Sequence, residues 1–367
     1  MAFIATEVSF QKNTDFRLEL SKRIDRYFET SGLERRDHPK MYQKTAVIIA
    51  WLIASYVLLV LWAPSIVPAL ILSLSLSLSM AGSGFCIQHD GNHRGYSKRT
   101  WINRLAAFSL DALGGSSYMW HWKHNVRHHC YTNIVGVDAD IDVGGLCRLA
   151  PQQRHLWPHR FQHLYMWFFY GLISIKWHLW DDFHALATGR LDHQLYPRPK
   201  GTALLTLIAG KAIFVCLALV IPLYFHPLWM VASFYVLVSF VLGMTLTVVF
   251  VLAHCVSEAA FASAGPIESE WSVHQIETTV DFARDNRLLN WYLGGLNLQV
   301  EHHLFPNICH VHYRAMSDIV EAVCREYGVR YKTHKSMLSA LASHYRWLRE
   351  MGRRPERYPT LRTEVPG

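Results

Sequence analysis

Charge and paired cysteines are both scarce in this chain of 367 residues. Charged residues make up 17% of it and hydrophobic residues 51%. Its seven cysteines are an odd number, and no two stand as CxxC. That leaves no sequence sign of a disulfide framework and reads as free thiols facing a reducing compartment. The net charge of +8 suits either nucleic acid or a membrane surface. Zinc-finger spacing is missing, as are basic stretches interleaved with aromatics, so nucleic acid is not an expected partner. Residues 1–44 contain no long apolar run, so no cleavable signal peptide is expected. The first apolar run is then its own targeting signal.

The apolar residues gather in runs of the length a bilayer crossing needs, about 20 residues each. They predict spans at about 45–62, 64–86, 202–225 and 228–253, joined in pairs by short turns at Ala63-Pro64 and His226-Pro227. LSLSLSLS at 72–79 alternates like a strand, but a lone strand in lipid leaves its backbone unpaired, so a helix is expected. Its serines can bond back to carbonyls one turn earlier. Residues 164–180 are apolar and aromatic but interrupted by Lys176 and His178, which predicts an interfacial or partly buried helix. Lys211 lies inside the third span and is expected to snorkel or to be paired internally. Residues 1–44 are charged, with Leu18, Ile24, Tyr27 and Phe28 able to form one apolar helix side. Residues 312–327 read as an amphipathic helix, before a C-terminal tail over 331–367. The fold class is thus all-α: a polytopic membrane protein, about four spans in two hairpins, capped by a helical domain. The short turns carry no Lys or Arg, whereas 1–44, the 87–200 loop and the C-terminal region carry many. The positive-inside rule puts both termini and the middle loop in the cytoplasm.

Three histidine clusters punctuate this layout: His89/His93, His124/His128/His129 and His302/His303, with His254 alone at the end of the fourth span. Histidines four apart share one helix face, about 6 Å apart, a spacing that suits chelation. With the predicted topology all of them fall on one face of the membrane. Eight neutral imidazoles exceed what one zinc takes and suit two iron ions with positions open for oxygen. Asp90, Asp138, Asp140, Gln299 and Glu301 are candidates for orienting the rings. His121 and the His310/His312 pair read as structural.

The clusters read HxxxH, HxxxHH and QxxHH, and the last sits in Gly-Gly-Leu-Asn-Leu-Gln-Val-Glu-His-His-Leu-Phe-Pro at 294–306. In this the chain resembles the membrane fatty acyl desaturases, over the region from the first span to about residue 330. The wording around the boxes agrees, including His-Asp-Gly-Asn-His, Tyr131-Thr132-Asn133-Ile134, and Gln275 to Phe282. Gln299, where many desaturases have histidine, resembles the front-end and linoleoyl-CoA-desaturase-like branch. The resemblance implies a di-iron centre at the cytoplasmic membrane face, with O2 as co-substrate. It also implies an external electron donor, ferredoxin or cytochrome b5 with its reductase, and an acyl-CoA or acyl-lipid substrate among membrane lipids. Two departures stand out. His38-Pro39 is not followed by the Gly-Gly of a cytochrome b5 module, and Phe250 stands where some relatives place an asparagine one turn before the lone histidine.

An acyl methylene has no acidic proton and no leaving group, so side-chain acid–base chemistry cannot attack it and the metal must supply the oxidant. The expected function is O2-dependent insertion of a double bond into an acyl chain. A hydroxylase, acetylenase or ketolase on the same site is the nearest rival, decided by product. A metal transporter would hold its ligands near the midplane of the spans, whereas seven of these eight lie outside the spans or at their ends.

Overall fold

The computed structural model describes residues 8–12 and 15–353. The end of the expected basic tail, and both chain termini, lie outside the described residues. Helix α1 (Asp15–Ser31) buries Phe16, Leu20, Ile24 and Phe28, one every fourth residue, against the helix Tyr313–Glu326. Leu18, expected on the apolar side, is exposed because it falls half a turn off that row. The N-terminal segment is therefore a docked helix with a packed face.

Among the described residues four helices are long and apolar enough to cross a membrane: α2 (Pro39–Leu61), α3 (Ile66–Asn92), and two that follow the middle loop, Thr202–Phe225 and Leu228–His254. Each of the first two overruns its predicted cytoplasmic end by about a turn or more, because polar residues there find partners. Lys44 is buried, its Nζ donating to His310 Nε2 at 2.7 Å. The serine repeat is helical as expected. Ser73 and Ser77 donate back to Ala69 and Ser73 carbonyls at 2.7 and 2.8 Å. Ser75 is bonded by Trp51 Nε1 and Ser55, each at 2.8 Å, which fastens α3 to α2.

The middle loop folds into α4 (Thr100–Ala112), α5 (Ser117–Trp120, running on as a wide π-helical stretch His121–His128), α6 (Gln162–Lys176) and α7 (Asp182–Thr188). Helix α6 is not among the spans. It lies along the fourth, and the two approach so closely that a Cβ on Gly243 would stand 2.6 Å from Gly171 O. The third and fourth spans are α8 (Thr202–Phe225) and α9 (Leu228–His254). Beyond them come α10 (Trp271–Thr278), α11 (Arg287–Tyr292), α12 (Gln299–Leu304), α13 (Tyr313–Glu326) and α14 (Met337–Met351). Helix α14 packs on α9 and α6, burying Trp347, Leu348 and Met351. Short strand pairs staple distant loops: Ser9–Gln11 with Pro266–Glu270, Ile134–Val135 with Ala262–Ser263, and Asp281–Phe282 with Thr333–His334, all parallel. A fourth pair, Arg190–Leu191 with Gln194–Leu195, is an antiparallel hairpin, and the described architecture is otherwise helical, four spans in two hairpins under a helical cap.

Candidate metal centre

Both hairpins present the same ends to the cap: α3 exits at His89 and α9 ends at His254. In α3 the stretch Gly84–Gln88 is wound as a π-turn, and His89 and His93 follow it with ring centroids 4.8 Å apart. Helix α5 is also π-wound through its box, which brings residues five apart into line. His129 donates its backbone N–H to His124 O, and their Nε2 atoms are 3.2 Å apart. The last pair arrives on α12. Gly294 and Gly295, both in the left-handed region at φ 60° and 69°, turn the chain just ahead of it. A Cβ on Gly294 would lie 2.5 Å from Phe85 O, so only glycine lets this turn close on α3.

The eight histidines fall into two groups with one between. His89, His93, His124 and His302 each offer a ring nitrogen within 4.8 Å of the others, and so do His128, His254 and His303. His129 bridges them: its Nε2 lies 2.9 Å from His302 Nε2, and its ring stacks on His303 at 4.2 Å. All are buried except His124, which is half-buried beneath the indole of Trp120 at 4.2 Å. Burial first, and neighbouring imidazoles second, hold His93, His124, His129, His302 and His303 well below the ordinary imidazole value. These rings are neutral, with lone pairs free. His128 differs: burial is the largest single influence and opposes its charge, but Asp138, through charge and hydrogen bond, and Asp140 together raise it.

Nε2 of His93, His128, His254 and His303 and Nδ1 of His129 have no hydrogen-bond partner among the described residues. Buried polar atoms left unpaired are costly. Nitrogens converging without protons to share are satisfied by a cation, and an imidazole set suits first-row transition metals. The residues present thus fit a metal centre.

Around the rings, His128 Nδ1 donates to Asp138 Oδ2 at 2.9 Å and His124 Nδ1 to Asp140 Oδ2 at 3.3 Å. Among the described residues the other three expected orienting residues make no hydrogen bond to a box histidine. Asp90 accepts from His310 Nδ1 at 3.0 Å, and Glu301 accepts from Tyr331 at 3.0 Å. Gln299 Oε1 is unpartnered among the described residues. In their stead Gln275 Oε1 accepts from His303 Nδ1 at 2.8 Å, and Tyr313 OH accepts from His302 Nδ1 at 3.2 Å. Gln275 stood in the sequence only as part of the wording near the boxes, and Tyr313 carried no signal. Phe250 packs on His254 and His128, with centroids 4.8 and 5.2 Å away. His121 joins neither group, and His310 and His312 serve structural bonds to Asp90, Lys44 and Glu34 O.

A sequence model of the fatty acid desaturase family matches residues 64–335, which hold the second to fourth spans and every box. The chain belongs to the fatty acid desaturase family. This desaturase is 40% identical over 361 residues to an sn-1 linoleoyl-lipid 6-desaturase of Arthrospira platensis, covering 97% of this chain and 98% of that one. It is 37% identical to the enzyme of the same name from Synechocystis sp., covering 95% and 99%. An acyl-lipid (8-3)-desaturase of Physcomitrium patens is 34% identical, covering 94% of this chain and 73% of that one. The protein is therefore a fatty acyl desaturase, an oxidoreductase of lipid metabolism embedded in the membrane by four helices. The resemblance drawn from the boxes, and the branch marked by Gln299, hold.

Proposed function

We propose that the desaturase holds two iron ions between its histidine groups and acts on a lipid-bound acyl chain, between an existing double bond and the carboxyl end. The observation that carries this is the pairing of the two imidazole groups through His129, in a chain so like two lipid 6-desaturases along nearly its whole length. His89, His93, His124 and His302 would hold one ion and His128, His254 and His303 the other, with His129 at the junction. Iron supplies an oxidant from O2 and two external electrons, strong enough to take hydrogen from a methylene. The chain's own residues do the rest. Asp138, Asp140, Gln275 and Tyr313 fix ring orientation and keep the metal-facing nitrogens deprotonated. Burial of the rings excludes water that would quench the oxidant. Cytoplasmic orientation is supported by the Lys/Arg bias of the long segments, and ferredoxin or cytochrome b5 with its reductase is the expected donor.

The test is a fatty-acid profile, by gas chromatography–mass spectrometry, of membranes from cells expressing the chain with linoleate supplied. Wild type is expected to yield an 18-carbon triene with its new bond at carbon 6, and a variant with His302→Ala and His303→Ala none. A hydroxy or keto acid in place of the triene would move the protein to the rival chemistry. Product of the same kind in the double variant would refute the metal assignment.

A further inference from the structure

Lys211 does more than hide its charge inside the third span. Its Nζ is 2.7 Å from Asp182 Oδ2 and donates to Gly114 O at 2.5 Å. Asp182 Oδ1 in turn accepts from Trp177 Nε1 at 3.0 Å. Lys211 and Asp182 are both buried, so this is a desolvated, geometrically fixed ion pair rather than a surface contact. Three separate elements meet at it: α8, the Gly114-Gly115 turn that leads from α4 into α5, and the π-wound stretch Trp177–Asp181 that carries α6 into α7. The turn is shaped to receive them. Gly114 has φ 100°, and a Cβ there would stand 2.8 Å from His178 Cδ2. A Cβ on Gly115 would stand 2.7 Å from Leu110 and 3.1 Å from the Trp177 ring.

Trp177 and Gly115, which this clamp holds, line an apolar cavity of about 30 Å³, room for roughly one water or one methyl group. Met80, Gly84 and Gln88 of α3 form one side of it, and Gly115, Trp177 and His178 close another. Gln88 precedes His89 of the first histidine group. From Met80 to His89 the helix rises about 13 Å, at 1.5 Å per residue. The cavity therefore lies on the membrane side of the metal centre, where the methyl end of an acyl chain would point.

We propose that Lys211 and Asp182 are positioning residues that fix the Trp177 indole and the Gly114-Gly115 turn as an end wall, so that they set the acyl length the enzyme accepts. This rests on the acyl desaturase reading above. The cavity is the stop for the methyl terminus, with Trp177 and Gly115 as the lining that touches it. Lengthening or shortening an acyl chain by one methylene against such a wall changes selectivity by about 10-fold or more.

The experiment supplies 16-, 18- and 20-carbon acids to cells expressing each variant and reads product ratios by chain length, with bound iron measured on the purified proteins. Trp177→Ala is expected to shift product toward 20 carbons. Gly115→Ala is expected to shift it toward 16. Lys211→Met is expected to follow Trp177→Ala, because it frees the indole, and Asp182→Glu to restore part of the wild-type ratio relative to Asp182→Ala. If Lys211→Met fails to accumulate, Trp177→Phe decides: it keeps an aromatic wall but loses the N–H to Asp182, and a shift in ratio is expected. Unchanged ratios in Trp177→Ala and Trp177→Phe, with yield and iron alone falling, would make the clamp structural only and overturn the inference. Absence of any unsaturated product from iron-loaded wild type would instead remove the reading beneath it, and the inference with it.

Discussion

Asp138→Asn removes one charge and no volume, yet the geometry makes it severe. Asp138 is buried, and its two oxygens serve three donors. Oδ2 accepts from His128 Nδ1 at 2.9 Å and from Asn133 N at 2.8 Å, while Oδ1 accepts from Asp140 N at 2.9 Å. An asparagine has one acceptor oxygen to offer. If that oxygen faces His128, the amide N–H₂ points at the Asp140 N–H. If it is flipped, two donors point at the amide N–H₂, and His128 must move its proton to Nε2, the nitrogen the metal needs. Leaving one buried donor unsatisfied costs about 1–3 kcal/mol of stability. Loss of an outer hydrogen bond to a metal-bound histidine costs about 10–100-fold in metal affinity, roughly 1.4–2.8 kcal/mol. Iron content of the purified protein, titrated against a competing chelator, together with product yield at equal expression, measures both effects. Asp140→Asn is the internal comparison and is expected to lose less, since its bond to His124 is longer and its carboxylate is shared with Lys123. Full iron occupancy and full product in Asp138→Asn would refute the claim that this carboxylate sets the state of His128.

Three further outcomes are expected. Gly243→Ala should lower the melting temperature of solubilised protein more than Gly171→Ala. A Cβ on Gly243 meets backbone carbonyls of α6 at 2.6 and 2.9 Å, which cannot yield, while one on Gly171 meets the end of the Phe240 ring, which can swing. Equal shifts would count against that distinction. His344, fully buried and bonded to Cys255 O and Tyr170 OH, is pushed down to about 4 by burial. It is neutral in the fold, whereas the unfolded chain takes up its proton below about 6.5, so stability falls as pH drops through that value and by about 3 kcal/mol at pH 4. His344→Gln should flatten that part of the pH–stability curve; an unchanged slope would rule it out. Stripping metal with a chelator should abolish product and lower the melting temperature, with Fe2+ restoring both and Zn2+ only the second. Product recovered with Zn2+ would contradict redox chemistry at the site.

The parts of this structure most legible in the sequence were those written as short periodic patterns. Apolar runs marked the spans, and histidines four residues apart or adjacent marked the boxes. Even the alternating serines resolved into a helix once the bilayer was taken as solvent. Lone residues were harder. His254 was visible only because it ended a span, and Tyr313, which holds His302, lies in an amphipathic helix that gave no reason to single it out. Gln275 contributes one oxygen from a segment 28 residues away. Asp90 and Glu301 were chosen because they adjoin the boxes, but helical neighbours point to different sides, so each bonds elsewhere. The packed helix within the C-terminal region, Met337–Met351, buries polar Ser343 and His344 along with its apolar residues and exposes Leu338, which blurs its apolar stripe.

The positions of the boxes along the chain also give synthesis a timetable. When the first hairpin is complete only His89 and, just past it, His93 have been made, and six of the eight rings exist once the fourth span ends. His302 and His303 come last, and they contribute one ring to each group. A nascent chain already threaded through the membrane therefore owns two half-built sites and no finished one. A metal ion can meet a complete set of rings only after the cap has closed, so a chain that stops short of His302 and His303 never owns either finished group beside its own lipids.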